Sequence, residues 1–243
     1  MTAQAPAQVA LETARQRLIV ALDVPDAAAA LAAARALEGH VGMLKIGLEL
    51  FVAEGPAVVR AIRERHPALE IFLDLKLHDI PNTMRGAIRS ARELGARFLT
   101  VHAGSGAEHL RACVEEAAGA LEILAVTVLT SQDAQACREA GHTRAPEELV
   151  AMRAACAREA GCAGVVCSGQ EVARVHEVAP SLLKVVPGIR PAGAAADDQR
   201  RVMTPARAIA SHASHLVIGR PIMQAADRQA AADAIVREIA GAL

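Results

Sequence analysis

Eight short aliphatic runs, separated by longer helical patterns from one end of the chain to the other, constrain this sequence more than any other feature. They are Leu18–Asp23, Met43–Ile46, Ile71–Leu75, Phe98–Val101, Ile123–Leu129, Gly164–Cys167, Lys184–Val186 and Leu216–Gly219. Each is apolar almost without a break, which is how a parallel strand reads when both its faces are covered. Helix signals fill the gaps. Asp26 can cap a helix whose Leu31, Ala34, Leu37 and Val41 recur at three- or four-residue steps, with Gly39 near its end. Pro146 precedes Glu147 and Glu148, a favourable helix start, and Gly161 can end that helix. Thr204-Pro205 is another cap-plus-proline start. Eight strand–helix alternations predict an α/β chain folded as a single-domain (β/α)8 TIM barrel over residues 17–243, with a doubly wound sheet as the alternative. Residues 1–16 are expected to be an N-terminal arm or an extra helix. No linker, low-complexity tract or repeat divides the 243 residues, a typical length for one such barrel.

Composition serves mainly to exclude. Hydrophobic residues make up 53%, yet Phe51, Phe72 and Phe98 are the only aromatics, so the core must be aliphatic. With 26 basic and 27 acidic residues there is no basic stripe for a nucleic-acid backbone, and few aromatics means few platforms for stacking bases. A nucleic-acid partner is not expected; a phosphorylated small molecule remains open. No apolar run approaches the roughly 18 residues that span a bilayer, so no membrane association is expected. Five cysteines at positions 113, 137, 156, 162 and 167 lack a disulfide-framework spacing and read as reduced, mostly buried thiols. A cytoplasmic location follows as an expectation.

In a barrel, reactive groups sit at the C-terminal ends of strands. The first run ends in Asp23, the second carries Lys45, and the third reads Asp74-Leu75-Lys76-Leu77-His78-Asp79 before Ile80-Pro81-Asn82-Thr83. The fourth ends Val101-His102 and the fifth runs to Thr130-Ser131. Alternation along a strand puts Asp74 and Lys76 on one face. If Lys45 lies beside them, the charges alternate as Lys45, Asp74, Lys76 and Asp79, an array that keeps Lys76 charged, fixed and ready to deliver a proton. An ordinary ion-pair network closing the barrel end would give the same spacing. His102 reads more readily as a hydrogen-bonded structural residue than as an acid or base. No HExxH or clustered zinc-ligand spacing occurs, and a lysine between the two carboxylates argues against a divalent ion there.

The seventh and eighth runs lead into Pro187-Gly188-Ile189-Arg190-Pro191 and Gly219-Arg220-Pro221. Glycines allow close backbone approach, arginines offer charge-assisted hydrogen bonds, and these are the loops in which barrels often bind phosphate. A turn with a solvated arginine is the bland alternative.

Taken together these motifs resemble the orotidine 5′-phosphate decarboxylase family, in particular its bacterial stand-alone branch. The resemblance extends from Leu18 to Pro221, and its most specific element is Phe72-Leu73-Asp74-Leu75-Lys76-Leu77-His78-Asp79-Ile80-Pro81-Asn82-Thr83. A bare DxKxxD also occurs in keto-sugar-phosphate barrels, but its continuation into Ile-Pro-Asn-Thr looks like the nucleotide enzyme. Lys45-Ile46-Gly47, Val186–Pro191 and Ile218–Pro221 are further matches. The resemblance implies a cofactor-free decarboxylation of orotidine 5′-phosphate to UMP and carbon dioxide. Lys76 would protonate C6, Asp74 would sit near the substrate carboxylate, and Lys45 would pair with Asp74 and the ribose. Asp79 would complete the array in the neighbouring subunit's site of a homodimer. Asp23 would bind a ribose hydroxyl and Thr130 would lie near the base. Gln199 would bridge base and phosphate from a mobile loop near Gly193–Arg201. Arg190, Gly219 and Arg220 would hold the phosphate, and Ile80 and Thr83 would complete the substrate contacts. Two other readings stand beside it: a metal-dependent keto-sugar-phosphate decarboxylase or aldolase, and a non-catalytic nucleotide-binding barrel.

Overall fold

All eight runs form strands in the computed structural model, which describes residues 4–191 and 203–243. They are β1 (Leu18–Ala21), β2 (Met43–Gly47), β3 (Glu70–Leu77), β4 (Phe98–His102), β5 (Glu122–Val126), β6 (Gly164–Val166), β7 (Leu183–Val186) and β8 (His215–Ile218). Each pairs in parallel with the next, and β1 closes on β8, so the sheet is a barrel rather than an open doubly wound sheet. The fifth strand stops three residues short of Leu129; just past Val126 the Thr127 hydroxyl and amide both donate to the Val166 carbonyl.

Strand parity divides the core in two. Ile19 and Ala21, Met43, Phe72, Phe98, Leu124, Val185 and Val217 point inward and fill the barrel. Their alternates, among them Leu18, Val20, Leu44, Ile46, Ile71, Leu73, Leu99 and Val101, face the surrounding helices. The helix layer is aliphatic apart from Phe51, while Phe72 and Phe98 meet edge to face inside the barrel, ring centroids 5.9 Å apart.

The helices start where the sequence signals them. Asp26 accepts a hydrogen bond from the Ala29 amide at 2.8 Å to begin the helix Ala27–Leu37, and Gly39 follows it in the left-handed region at φ +83°. Pro146 opens Pro146–Glu159 with Glu147 and Glu148 in its first turn. Thr204 caps Pro205–Ala210. Residues Gln4–Arg17 form a helix that packs on the C-terminal helix Arg228–Ala240 and on β1 and β8. This helix comes so close to Gly42 that a Cβ there would lie 2.7 Å from the Gln16 Cα.

None of the five thiols is bonded to another, and four are buried. Burial pushes Cys113 up to about 11 and Cys162 up to about 12, so both stay protonated and unreactive at neutral pH. Among the described residues no helix is long and apolar enough to cross a membrane.

Candidate active site

The inward face of each strand changes character as it climbs toward the C-terminal mouth. Above Ala21 comes Asp23, above Met43 Lys45, above Phe72 Asp74, above Phe98 Thr100, and above Val217 Gly219. The period of two that packs the apolar interior thus delivers the polar groups to one place. All but Thr100, which is buried behind them, line a cavity of about 220 Å³ together with Lys76, Thr130, Gly188, Arg190 and Arg220.

Asp74 is the hub. Its Oδ1 lies 2.8 Å from Lys76 Nζ and its Oδ2 3.4 Å from Lys45 Nζ. Lys45 Nζ also lies 3.4 Å from Asp23 Oδ1. Lys45 stands opposite Phe72 in the ladder, not opposite Asp74, so it reaches the carboxylate along its own stem rather than by lateral register. Only 13% of the Asp74 side chain is exposed. Burial pushes its carboxyl pKa up, but the two ammonium groups and hydrogen bonds from Lys76 and Thr100 outweigh burial and hold it below the ordinary carboxylate range. Asp74 is therefore charged at neutral pH.

Lys76 reaches this position by an irregular route. The β3–β4 register shifts between Leu73 and Leu77, and Lys76 adopts φ +48°, a left-handed conformation that costs a non-glycine residue energy. Simple alternation predicts Asp74 and Lys76 on one face; the two side chains do meet, but through a bulge. What holds the bulge is Thr100, which is wholly buried. Its Oγ1 accepts the Lys76 amide at 2.9 Å and donates to Asp74 Oδ1 at 3.0 Å, tying the lysine's backbone to the carboxylate that fixes its ammonium. Sequence reading passed over Thr100, although one hydroxyl in Phe-Leu-Thr-Val-His, on the parity of inward Phe98, was a usable signal. Gly47, the last residue of the Lys45-Ile46-Gly47 motif, ends β2. A Cβ there would sit 3.0 Å from Lys45 Nζ, so the glycine leaves the lysine its space.

The opposite wall is formed by the ends of β7 and β8. Gly188 takes φ +75° and turns the chain so that Arg190, almost fully buried, faces the cavity, where its Nη1 donates to the Ile189 carbonyl at 3.0 Å. Gly219 comes close to the first strand: a Cβ there would meet Ala21 Cβ at 3.3 Å and Asp23 Oδ2 at 3.6 Å. Arg220 follows at the start of the short helix Arg220–Met223. One wall therefore carries two guanidinium groups, and the other the Lys45–Asp74–Lys76 array.

Asp79, Ile80 and Thr83 are not brought to this cavity. All three are exposed, and Asp79 Oδ1 accepts the Ile80 amide at 2.6 Å. Asp79 lines a separate shallow hollow with His78, Pro81 and His109. Within one chain the alternating array thus lacks its fourth member. The His78 ring nitrogen Nε2 is 2.8 Å from the Ser105 hydroxyl. His102 lies outside the cavity lining, and burial, with His78, Lys76 and Arg153 nearby, lowers its pKa. Gln199 and the loop near Gly193–Arg201 lie outside the described residues. Among the described residues no three of His, Cys, Asp and Glu group together as metal ligands.

Residues 16–235 match the family described as Orotidine 5'-phosphate decarboxylase / HUMPS family. The orotidine 5'-phosphate decarboxylase of Anaeromyxobacter dehalogenans is 54% identical over 222 residues, which cover 90% of this chain and 96% of that protein. The enzyme of the same name from Moorella thermoacetica is 51% identical over 236 residues, 93% of each chain. The crystal structure of orotidine 5'-phosphate decarboxylase from Lactobacillus acidophilus matches with a TM-score of 0.81 at 35% identity, covering 92% of this chain and 99% of that one.

Proposed function

We propose, since the chain belongs to the orotidine 5′-phosphate decarboxylase family, that Lys76 stabilises and then protonates a C6 carbanion formed as the substrate loses carbon dioxide. As a member of the bacterial stand-alone type it is a carboxy-lyase, and its reaction turns orotidine 5′-phosphate into UMP in pyrimidine nucleotide synthesis. The observation that supports the proposed mechanism is the 2.8 Å pair of Lys76 Nζ and Asp74 Oδ1 inside the cavity.

The C6–carboxylate bond breaks and its electron pair stays on C6, in the ring plane, where the ring π system delocalises it poorly. An ammonium already fixed beside that carbon stabilises the developing charge without reorganising. One Lys76 N–H proton then passes to C6, and the neutral amine recovers a proton from solvent. The charged Asp74 keeps Lys76 protonated and aimed, and stands near the substrate carboxylate that is about to leave. Lys45 pairs with Asp74 and the ribose, Asp23 takes a ribose hydroxyl, and Thr130 lies near the base. Arg190, Gly219 and Arg220 hold the phosphate, with Gln199 bridging base and phosphate. Phosphate contacts far from C6 supply binding energy that the reacting centre can use. No cofactor enters these steps.

A homodimer completes the site in this reading, with Asp79, Ile80 and Thr83 of each chain reaching the other's cavity. Leu48, Val52 and Ile80 are large, exposed apolar residues on the helix after β2 and the loop after β3, a surface suited to burial against a second copy. A cytoplasmic location fits the same reading.

Turnover is tested by the ultraviolet absorbance change of orotidine 5′-phosphate with purified protein in excess EDTA. Full conversion to UMP is expected; activity that depends on added magnesium, or on a keto-sugar phosphate instead, would replace this reading. A second test addresses Thr100. Thr100→Val keeps the shape but leaves the Lys76 amide without an acceptor, a loss of about 1–3 kcal/mol in stability. Because it loosens the lysine rather than a substrate contact, kcat falls about ten- to a hundredfold with KM nearly unchanged, and Thr100→Ser restores most of it. Steady-state kinetics and thermal melts check both expectations.

A further inference from the structure

The barrel has a second charged cavity, at its floor, opposite the catalytic mouth. It is an open cavity of about 560 Å³ lined by Arg17, Arg97, His176, Lys184, His212 and His215, with no Asp or Glu in its wall and the carboxyl group of Leu243 at its edge. Arg97 is already accounted for, since Glu70 and Glu122 bind its guanidinium. The others are not. Lys184 is only 4% exposed, and its Nζ contacts the Pro180 carbonyl at 3.2 Å and His176 Nδ1 at 3.3 Å, with no carboxylate in reach among the described residues. His176 stacks on His212 with centroids 3.9 Å apart, and His212 is held there at φ +74°. His215 is 8% exposed, edge-on to Phe98, and its buried Nδ1 has no hydrogen-bond partner. Among the described residues the Arg17 guanidinium makes no ion pair or hydrogen bond.

We propose that this floor is a binding site for a small phosphate-bearing anion. A buried ammonium without a counterion is costly, and so is a buried imidazole nitrogen with nothing to bond. One anion seated beside Lys184, Arg17 and the histidine stack supplies the counter-charge that Lys184 lacks. A phosphate suits the donor set better than a carboxylate: two negative charges and several oxygens match an ammonium, a guanidinium and imidazole N–H groups. The volume admits an organic phosphate ester as well as inorganic phosphate, within the roughly 300–1,000 Å³ of small-molecule sites. Burial lowers Lys184, and burial with Arg97 and Arg17 nearby lowers His215 to about 4; an anion opposes both effects. The site is distinct from the mouth, although β7 and β8 reach both: His215 is at the floor end of the inward column that continues through Val217 to Gly219.

Inorganic phosphate is the probe, titrated calorimetrically and in thermal melts at constant ionic strength. The mouth also carries arginines, so the measurement is made on Arg220→Ala, which weakens that site. Saturable binding is expected to persist there, with Tm rising roughly 5–10 °C at about a hundredfold excess over Kd. Lys184→Met keeps the buried stem, removes the charge and leaves turnover in place; in the Arg220→Ala background it should abolish the phosphate-dependent rise. Arg17→Ala, on a half-exposed helix position, should weaken binding about tenfold without threatening the fold. No saturable binding to Arg220→Ala, or undiminished binding when Lys184→Met or Arg17→Ala is added, would overturn the proposal.

Discussion

Lys76→Ala lowers the conversion of orotidine 5′-phosphate to UMP by at least about 10⁴-fold, roughly 5.5 kcal/mol in the barrier, while UMP still binds within a few-fold of wild type. The size follows from two duties in one ammonium. A preorganised charge beside a developing carbanion contributes about 10²–10³-fold, and a positioned proton donor about 10²–10⁴-fold. Lys45 cannot substitute, because its Nζ is engaged with Asp23 and with the other oxygen of Asp74. The protein should still fold. Asp74 keeps Lys45 and Thr100 as partners, and removing the side chain leaves no buried cavity because 31% of it is exposed. UMP affinity is the control that separates lost chemistry from lost structure, since in the proposed reading Arg190, Gly219 and Arg220 hold the phosphate. Activity within tenfold of wild type in a well-folded variant would remove Lys76 from the mechanism.

Mixing Lys76→Ala with Asp79→Ala protein is expected to restore activity that neither has alone. Asp79 lies outside its own chain's cavity and is exposed, its one hydrogen bond among the described residues being to the neighbouring Ile80 amide, so the proposed role in catalysis is at another chain's site. In a heterodimer one site carries both lesions and the other carries neither. Random exchange makes half the dimers mixed, and each has one intact site, so about a quarter of wild-type activity should return. The mixture is unfolded and refolded together, and heterodimers are verified with a tagged chain. Mixed dimers that form and stay inactive would show that Asp79 serves its own chain's site or none.

Much of the site was legible in the chain because the barrel reads period two twice. The same alternation that marks Ile19, Met43, Phe72, Phe98 and Val217 as interior residues marks Asp23, Lys45, Asp74 and Gly219 as their successors at the mouth. Asp74 and Lys76 could be placed together from spacing. What spacing could not supply was the means, since a bulge at φ +48° held by a threonine on the next strand violates the alternation on which the reading rests. Thr100 went unnoticed for the related reason that one hydroxyl in a strand has no pattern of its own. Its meaning comes from the two partners it happens to face.

The sequence by itself determined the alternation of eight strands with helices, the caps at Asp26 and Thr204, the mainly aliphatic helix layer and the identity of the charged residues at the strand ends. These are local properties, set by side-chain periodicity and by backbone chemistry within a few residues. Only the tertiary structure decided that β1 closes on β8, that Lys45 divides itself between Asp23 and Asp74, that Asp79 turns away from its own cavity, and that Lys184 and His215 meet Arg17 at the floor. Each of these joins residues distant in sequence through the closure and stagger of a barrel, a constraint that acts on all eight strands at once and is written in no single one of them.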